Sequence, residues 1–217
     1  MSLESQIQAL QQILNDSVSL LAVSKTQSIE NIQQAYFAGI RHFGENYLNE
    51  AQEKILALKH LDCQWHYIGL IQTKKCKKLA ELFDWVQTVC SESIAQELNR
   101  CNELLAKRQN ILIQVKVLPD ENKAGCSFSQ CLELMEKIKD LPHLRLRGLM
   151  CILPLGLDEQ AQYHSFASLK KFFDECNESL DEPMDTLSMG MSDDYLVALR
   201  AGSNMIRLGR VIFGERL

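Results

Sequence analysis

The feature that most constrains this chain is a regular alternation of short apolar runs with longer segments of helical period. The runs are Leu20 to Val23, Ile40 to Phe43, Trp65 to Ile68, Trp85 to Val89, Ile111 to Val117, Leu144 to Met150, Thr186 to Ser188 and Asn204 to Leu208. Each is too short for a helix, and the fifth is almost continuously apolar, as a strand covered on both faces must be. Between them, Ile29, Ile32 and Tyr36 repeat at helical spacing up to a stop at Gly39, and a helix is predicted from about Glu45 to Leu58. Further helices are predicted from a Ser91 cap through Leu105, over Phe128 to Ile138, from Ala161 to Leu180 and from Asp193 to Arg200. Repeated β-then-α units with right-handed crossovers leave an open doubly wound sheet or a closed barrel. A count of eight favours the barrel. The expected fold is α/β, a single (β/α)8 TIM-type barrel over residues 1–217, with an extra N-terminal helix marked by Leu3, Ile7, Leu10 and Ile13.

Composition narrows the function class. A chain of 217 residues, 46% hydrophobic and 24% charged, can bury a full core, and a net charge of -5 argues against a general nucleic-acid or anionic-membrane binder. Met1 to Gln12 is polar and amphipathic, and no apolar run approaches membrane-spanning length, so a cytosolic protein is expected. The eight cysteines form no C-x-x-C pair and no metal-type cluster, which favours buried, reduced thiols and no metal. Cys126, in a loop-like segment beside Gly125, is the one candidate for a reactive thiol.

Lys25 ends the first strand-like run, Leu20-Leu21-Ala22-Val23-Ser24-Lys25, placing an amine at the carboxyl end of a strand, where the loops of an α/β fold converge on ligands. The loops after the seventh and eighth strands commonly hold phosphate in such a barrel. Here they read Ser188-Met189-Gly190-Met191-Ser192-Asp193 and Gly209-Arg210, offering hydroxyls, a glycine for close approach, backbone N–H groups and a guanidinium. Taken singly, Ser192 or Asp193 is better read as a helix cap. Arg207 alternates against Ile206 and Leu208, so it points into the barrel, where its charge requires an internal ion pair or a ligand acceptor. An amine, a phosphate cradle and an arginine between them match the needs of pyridoxal 5'-phosphate.

The stretches Leu21-Ala22-Val23-Ser24-Lys25, Phe43-Gly44-Glu45-Asn46-Tyr47, Trp65-His66-Tyr67-Ile68-Gly69, Leu187 to Asp194, Ile206-Arg207-Leu208-Gly209 and Ile212 to Arg216 resemble, in order along nearly the whole chain, the pyridoxal phosphate homeostasis protein family, known as YggS or PROSC. The resemblance implies a fold-type III barrel similar to the amino-terminal domain of alanine racemase, with pyridoxal phosphate held as a Schiff base on Lys25. It implies Ser188, Ser192, Gly209 and Arg210 around the phosphate, Arg207 at the pyridine nitrogen, and Asn46 and His66 near the ring. The chain departs from the family in reading Leu70 after Gly69 in place of proline, and Arg210 in place of a serine or threonine.

An arginine at the pyridine nitrogen makes the ring a weak electron sink, and racemisation by two bases needs a base opposite Lys25 that alanine racemase-like enzymes take from a second domain. With the chain ending at Leu217, the expected function is a carrier in vitamin B6 homeostasis, acting as a monomer and releasing pyridoxal phosphate to acceptors such as apo-enzymes, without turnover. A low-activity amino-acid racemase, a Schiff-base aldolase and a cofactor-sensing docking module are the alternatives. Lys74, Lys75, Lys77 and Lys78 read as the solvated face of a helix, or more sharply as a docking surface for acidic apo-enzymes.

Overall fold

The computed structural model describes residues 2–118 and 124–214. The predicted Pro119 to Lys123 part of the loop after the fifth strand, and Glu215 and Arg216 of the last resembling stretch, lie outside these. An N-terminal helix α1 (Leu3–Ile13) precedes eight strands: β1 (Ser19–Val23), β2 (His42–Glu45), β3 (Gln64–Tyr67), β4 (Trp85–Val89), β5 (Gln109–Gln114), β6 (Leu144–Met150), β7 (Thr186–Ser188) and β8 (Met205–Leu208). They close in sequence order into a parallel barrel, β8 pairing back onto β1. The intervening helices are α2 (Ile29–Phe37), α3 (Leu48–Ala57), α4 (Cys76–Leu82), α5 (Glu92–Leu104), α6 (Phe128–Lys139), α7 (Glu159–Asn177) and α8 (Tyr195–Arg200), and a short α9 (Arg210–Phe213) follows β8.

Local chemistry explains the helix starts. Ser28, Ser91 and Asp158 accept the backbone N–H groups of Asn31, Ile94 and Ala161, and Ser127 with Gln130 forms a reciprocal capping box. The main apolar core lies between strands and helices, while Trp85, Leu112 and Met150 form a separate cluster. Among the described residues, no helix is long and apolar enough to cross a membrane.

Several boundaries differ from the sequence reading. The second strand is His42–Glu45 rather than Ile40 to Phe43, and its helix starts at Leu48 rather than Glu45. The cause is Glu45, whose buried carboxylate is tied to Lys54 at 2.8 Å and so belongs to the barrel wall. The fifth strand ends at Gln114; Val115 N–H still donates to Met150 O at 2.8 Å, and Val115 also forms an isolated bridge to Cys126. The eighth helix starts at Tyr195, not Asp193, since Asp194 turns back to accept the Met191 N–H at 2.6 Å. Lys74 and Lys75 lie in a 3-10 turn (Thr73–Lys75), leaving only Lys77 and Lys78 on α4. Cys126 is buried, its thiol donating to Gln114 O at 3.4 Å, so it offers no exposed thiol.

Candidate functional site at the carboxyl end of the barrel

Because every strand runs the same way, the segments that follow them open on one end of the barrel. Lys25 follows β1, Asn46 follows β2, Ser192 follows β7, and Gly209 with Arg210 follows β8. All are half-buried except Arg210, which is exposed. Thus five of the expected residues gather at this rim from distant points in the sequence. The Asn46 Oδ1 is buried there without a hydrogen-bond partner, an arrangement that costs about 1–3 kcal/mol unless a ligand fills it. Gly69 lets the next loop close against it: a Cβ at this position would lie 2.3 Å from Asn46 O. Departure from proline at Leu70 is accommodated by the Tyr67 hydroxyl, which donates to Leu70 O at 3.0 Å, and by Thr88 Oγ1 donating to Gly69 O at 2.7 Å.

The loop after β7 turns at Gly190, whose φ of +93° lies in the left-handed region and where a Cβ would sit 2.7 Å from that of Ala198. Gly190 O accepts the Arg207 N–H at 3.0 Å, tying the loop after β7 to strand β8. Beyond β8, Gly209 opens α9, and its carbonyl accepts the N–H groups of Ile212 and Phe213 at 3.0 and 2.9 Å. The first N–H groups of such a turn have no carbonyl within the helix. The Arg210 guanidinium, expected to contact a phosphate, donates through Nη2 to both carboxylate oxygens of Asp193, at 2.6 and 2.5 Å. This contact links the loop after β7 to the start of α9.

Arg207 is 3% exposed, and among the described residues no carboxylate lies within ion-pair distance of it. Its Nη1 donates to Ser188 O at 2.8 Å and Ser188 Oγ at 2.7 Å, and its Nη2 donates to Cys151 O at 2.8 Å. Burial lowers its pKa, opposed by Cys151 and Asp194. A guanidinium can only donate, and this sets the direction of a chain of bonds across the barrel interior. Since Ser188 Oγ accepts from Arg207, its own proton goes to Gln87 Oε1 at 2.8 Å. That turns Gln87 Nε2 toward His66 Nδ1, 2.9 Å away, which must accept. His66 then carries its proton on Nε2 and donates to His42 Nδ1 at 2.9 Å. Burial pushes the pKa of His66 well below 6.5, helped by His42, and burial also lowers that of His42.

Two of the expected site residues are fully buried members of this chain of bonds. Ser188 is fully buried, its hydroxyl donating to Gln87 Oε1 at 2.8 Å and accepting from Arg207 Nη1 at 2.7 Å. His66 is fully buried, spends both ring nitrogens on His42 and Gln87, and stacks on Trp85 with centroids 5.1 Å apart. It supports Arg207 through Gln87 and Ser188. In the Lys74 to Lys78 run, Lys74, Lys77 and Lys78 are exposed, and Lys78 Nζ donates to Gln52 Oε1 at 3.0 Å.

Sequence reasoning missed Gln87, His42 and a buried group at Lys54, Glu45 and Glu50. A signal existed for two of them. Gln87 is an amide inside a strand otherwise of aromatic and β-branched residues, and Lys54 falls on the buried stripe of α3 with Leu48 and Ala51.

The alanine racemase N-terminal domain profile matches residues 1–217. A pyridoxal phosphate homeostasis protein of Pasteurella multocida is 45% identical over 204 residues, 92% of this chain and 87% of the relative. One from Schizosaccharomyces pombe is 39% identical over 217 residues, 99% of this chain and 90% of the relative. PipY of Synechococcus elongatus, solved with PLP bound, superposes with a TM-score of 0.93 at 36% identity, covering 98% of this chain and 100% of PipY. A closed parallel barrel with its polar rim, matched along 92% or more of its length by these relatives, belongs to the alanine racemase N-terminal domain family and, within it, to the pyridoxal phosphate homeostasis proteins.

Proposed function

We propose that this chain binds pyridoxal 5'-phosphate at the carboxyl end of its barrel, holds it covalently through Lys25, and releases it to acceptors without catalytic turnover. Bound there, the cofactor supplies an aldehyde that an amine can capture as a Schiff base. The residues present fit that group. Lys25 supplies the amine, and Ser192 with the backbone of Gly209 and Arg210 meets the phosphate at the start of α9. Asn46 Oδ1, buried and without a protein partner, accepts from a polar group of the ligand. Arg207 faces the pyridine nitrogen.

The observation that carries the reading is Arg207. A buried cation without a carboxylate is costly, yet this one spends three donors on two carbonyls and a hydroxyl and retains others for an acceptor. Because it can only donate, it keeps a ring nitrogen unprotonated, which suits holding the cofactor more than driving bond cleavage at a substrate. Binding of PLP by PipY and the naming of the homeostasis relatives support the same conclusion. The exposed lysines at 74, 77 and 78 then serve as a landing surface for acidic acceptors.

The test is borohydride reduction of the protein incubated with pyridoxal phosphate, followed by peptide mass mapping, together with an amino-acid racemisation assay at high protein concentration. An adduct on Lys25 and no racemisation is the expected result. Absence of an adduct overturns the binding reading, and racemisation abolished by Lys25→Ala overturns the carrier reading in favour of an enzyme.

A further inference from the structure

We propose that Lys54 and Glu50 are positioning residues for Lys25. They clamp the backbone on both sides of it and hold the next residue in a conformation it would not adopt alone. The inference deepens the function proposed above and rests on Lys25 being the capturing amine.

Lys54 is 4% exposed, on a stripe of α3 where an apolar residue would pack without any ionic cost. Its ammonium has three donors, and all three are spent: on Ser24 O at 2.7 Å, Glu45 Oε1 at 2.8 Å and Glu50 Oε1 at 2.5 Å. The Ser24 hydroxyl also donates to Glu45 Oε1, at 2.7 Å. Thus the residue immediately before Lys25 is held through both its carbonyl and its side chain.

The residue immediately after is held by the same group. Thr26 N–H donates to Glu50 Oε1, the oxygen that Lys54 also grips. Thr26 has a φ of +66°, a left-handed conformation that is unfavourable for a β-branched residue. Gln27 N–H closes the turn onto Ser24 O at 3.0 Å. A buried ion pair serving stability alone has no need to reach residues 24 and 26. Here every donor of Lys54 acts on the turn that carries Lys25, directly or through a carboxylate. Releasing Thr26 to a relaxed φ rotates the chain at the bond next to Lys25 and swings its side chain away from the rim.

The experiment uses the full chain and four variants: Glu50→Ala, Glu50→Gln, Thr26→Gly and the double Thr26→Gly/Glu50→Ala. Two rates are read, with thermal unfolding followed in parallel. One is capture of pyridoxal phosphate, followed by absorbance and by borohydride trapping at Lys25. The other, without cofactor, is competitive acetylation of Lys25 against surface lysines across pH, read by mass spectrometry. Strain of the kind held at Thr26 corresponds to roughly tenfold or more in an equilibrium. Glu50→Ala is expected to slow both rates at Lys25 about tenfold, while Glu50→Gln, which keeps the acceptor oxygen, stays within about threefold of wild type. Glycine adopts the left-handed conformation at no cost, so the double variant should recover to within about threefold of Thr26→Gly alone. Loss of global stability cannot produce that recovery. If Glu50→Ala fails to unfold cooperatively, Glu50→Asp, which retracts the carboxylate from Thr26, is expected to slow both rates in its place. Unchanged Lys25 rates in folded Glu50→Ala or Glu50→Asp, or no recovery in the double variant, overturn the proposal. A wild-type Lys25 that never captures the cofactor overturns the function reading instead, and the acetylation rates still decide the positioning.

Discussion

Replacing Gln87 by leucine removes the middle of the chain of bonds from Arg207 to His42. The volume is kept, but two buried groups lose their partners: the Ser188 hydroxyl proton, 2.8 Å from Gln87 Oε1, and His66 Nδ1, 2.9 Å from Gln87 Nε2. Leaving a buried polar group unsatisfied costs about 1–3 kcal/mol. The substitution also removes the cost of burying an amide, so the net loss expected is about 2–4 kcal/mol, against a total stability on the order of 5–15 kcal/mol for a protein of this kind. Urea unfolding of the cofactor-free protein at neutral pH, followed by circular dichroism, measures it. A cycle with Ser188→Ala sharpens the result: once the serine proton is gone, Gln87→Leu strands only His66, so the two losses should fall short of additivity by about 1 kcal/mol. A Gln87→Leu protein within about 0.5 kcal/mol of wild type, or strictly additive losses, would refute the chain of donors as drawn.

Three further outcomes are expected. Burial depresses the pKa of His42 and, well below 6.5, that of His66, so below that pH the unfolded chain binds more protons and stability falls with acid, for His66 by about 1.4 kcal/mol one unit below 6.5. Glu45, Asp84 and Asp194, raised by burial, oppose this trend, so the check is the difference in urea midpoint between wild type and His42→Gln across that range, with nitrogen NMR showing both rings protonated at Nε2 at neutral pH; an identical pH slope in both proteins defeats the assignment. With its guanidinium held by Asp193, Arg210→Ala should leave pyridoxal phosphate affinity within about threefold, whereas Ser192→Ala should weaken it about tenfold, both by fluorescence titration; the reverse order returns the phosphate contact to the guanidinium. Reversing the charges of Lys74, Lys75, Lys77 and Lys78 should slow cofactor transfer to an acidic apo-enzyme at low salt and leave capture at Lys25 unchanged, and equal transfer rates in stopped-flow remove these lysines from the docking surface.

The barrel and much of its rim were legible in one dimension because the signals are local. Strand runs, helical spacing and caps such as Ser28 and Ser91 act within a few residues, and parallel connectivity places every segment that follows a strand at the same end. Lys25, Ser192 and Gly209 therefore fell where the pattern put them, whereas Asn46 was named only through the family resemblance. The alternation around Arg207 also told that it points inward.

Which partner each polar group takes was decided only by tertiary structure, because those partners lie far apart in sequence and compete for a limited set of donors. Ser188 was expected at a phosphate, and its hydroxyl donates to Gln87, 101 residues away. Arg210 was expected there too, and its guanidinium donates to Asp193, 17 residues away. Lys54 drew no reading from the sequence, and only the closing of β1 against the next β/α unit brings it to the Lys25 turn. Sequence by itself determined the scaffold and the kinds of side chain at its mouth. Their division into rim and floor had to wait for the barrel to close, since a hydrogen bond is satisfied by proximity in space and carries no local periodicity.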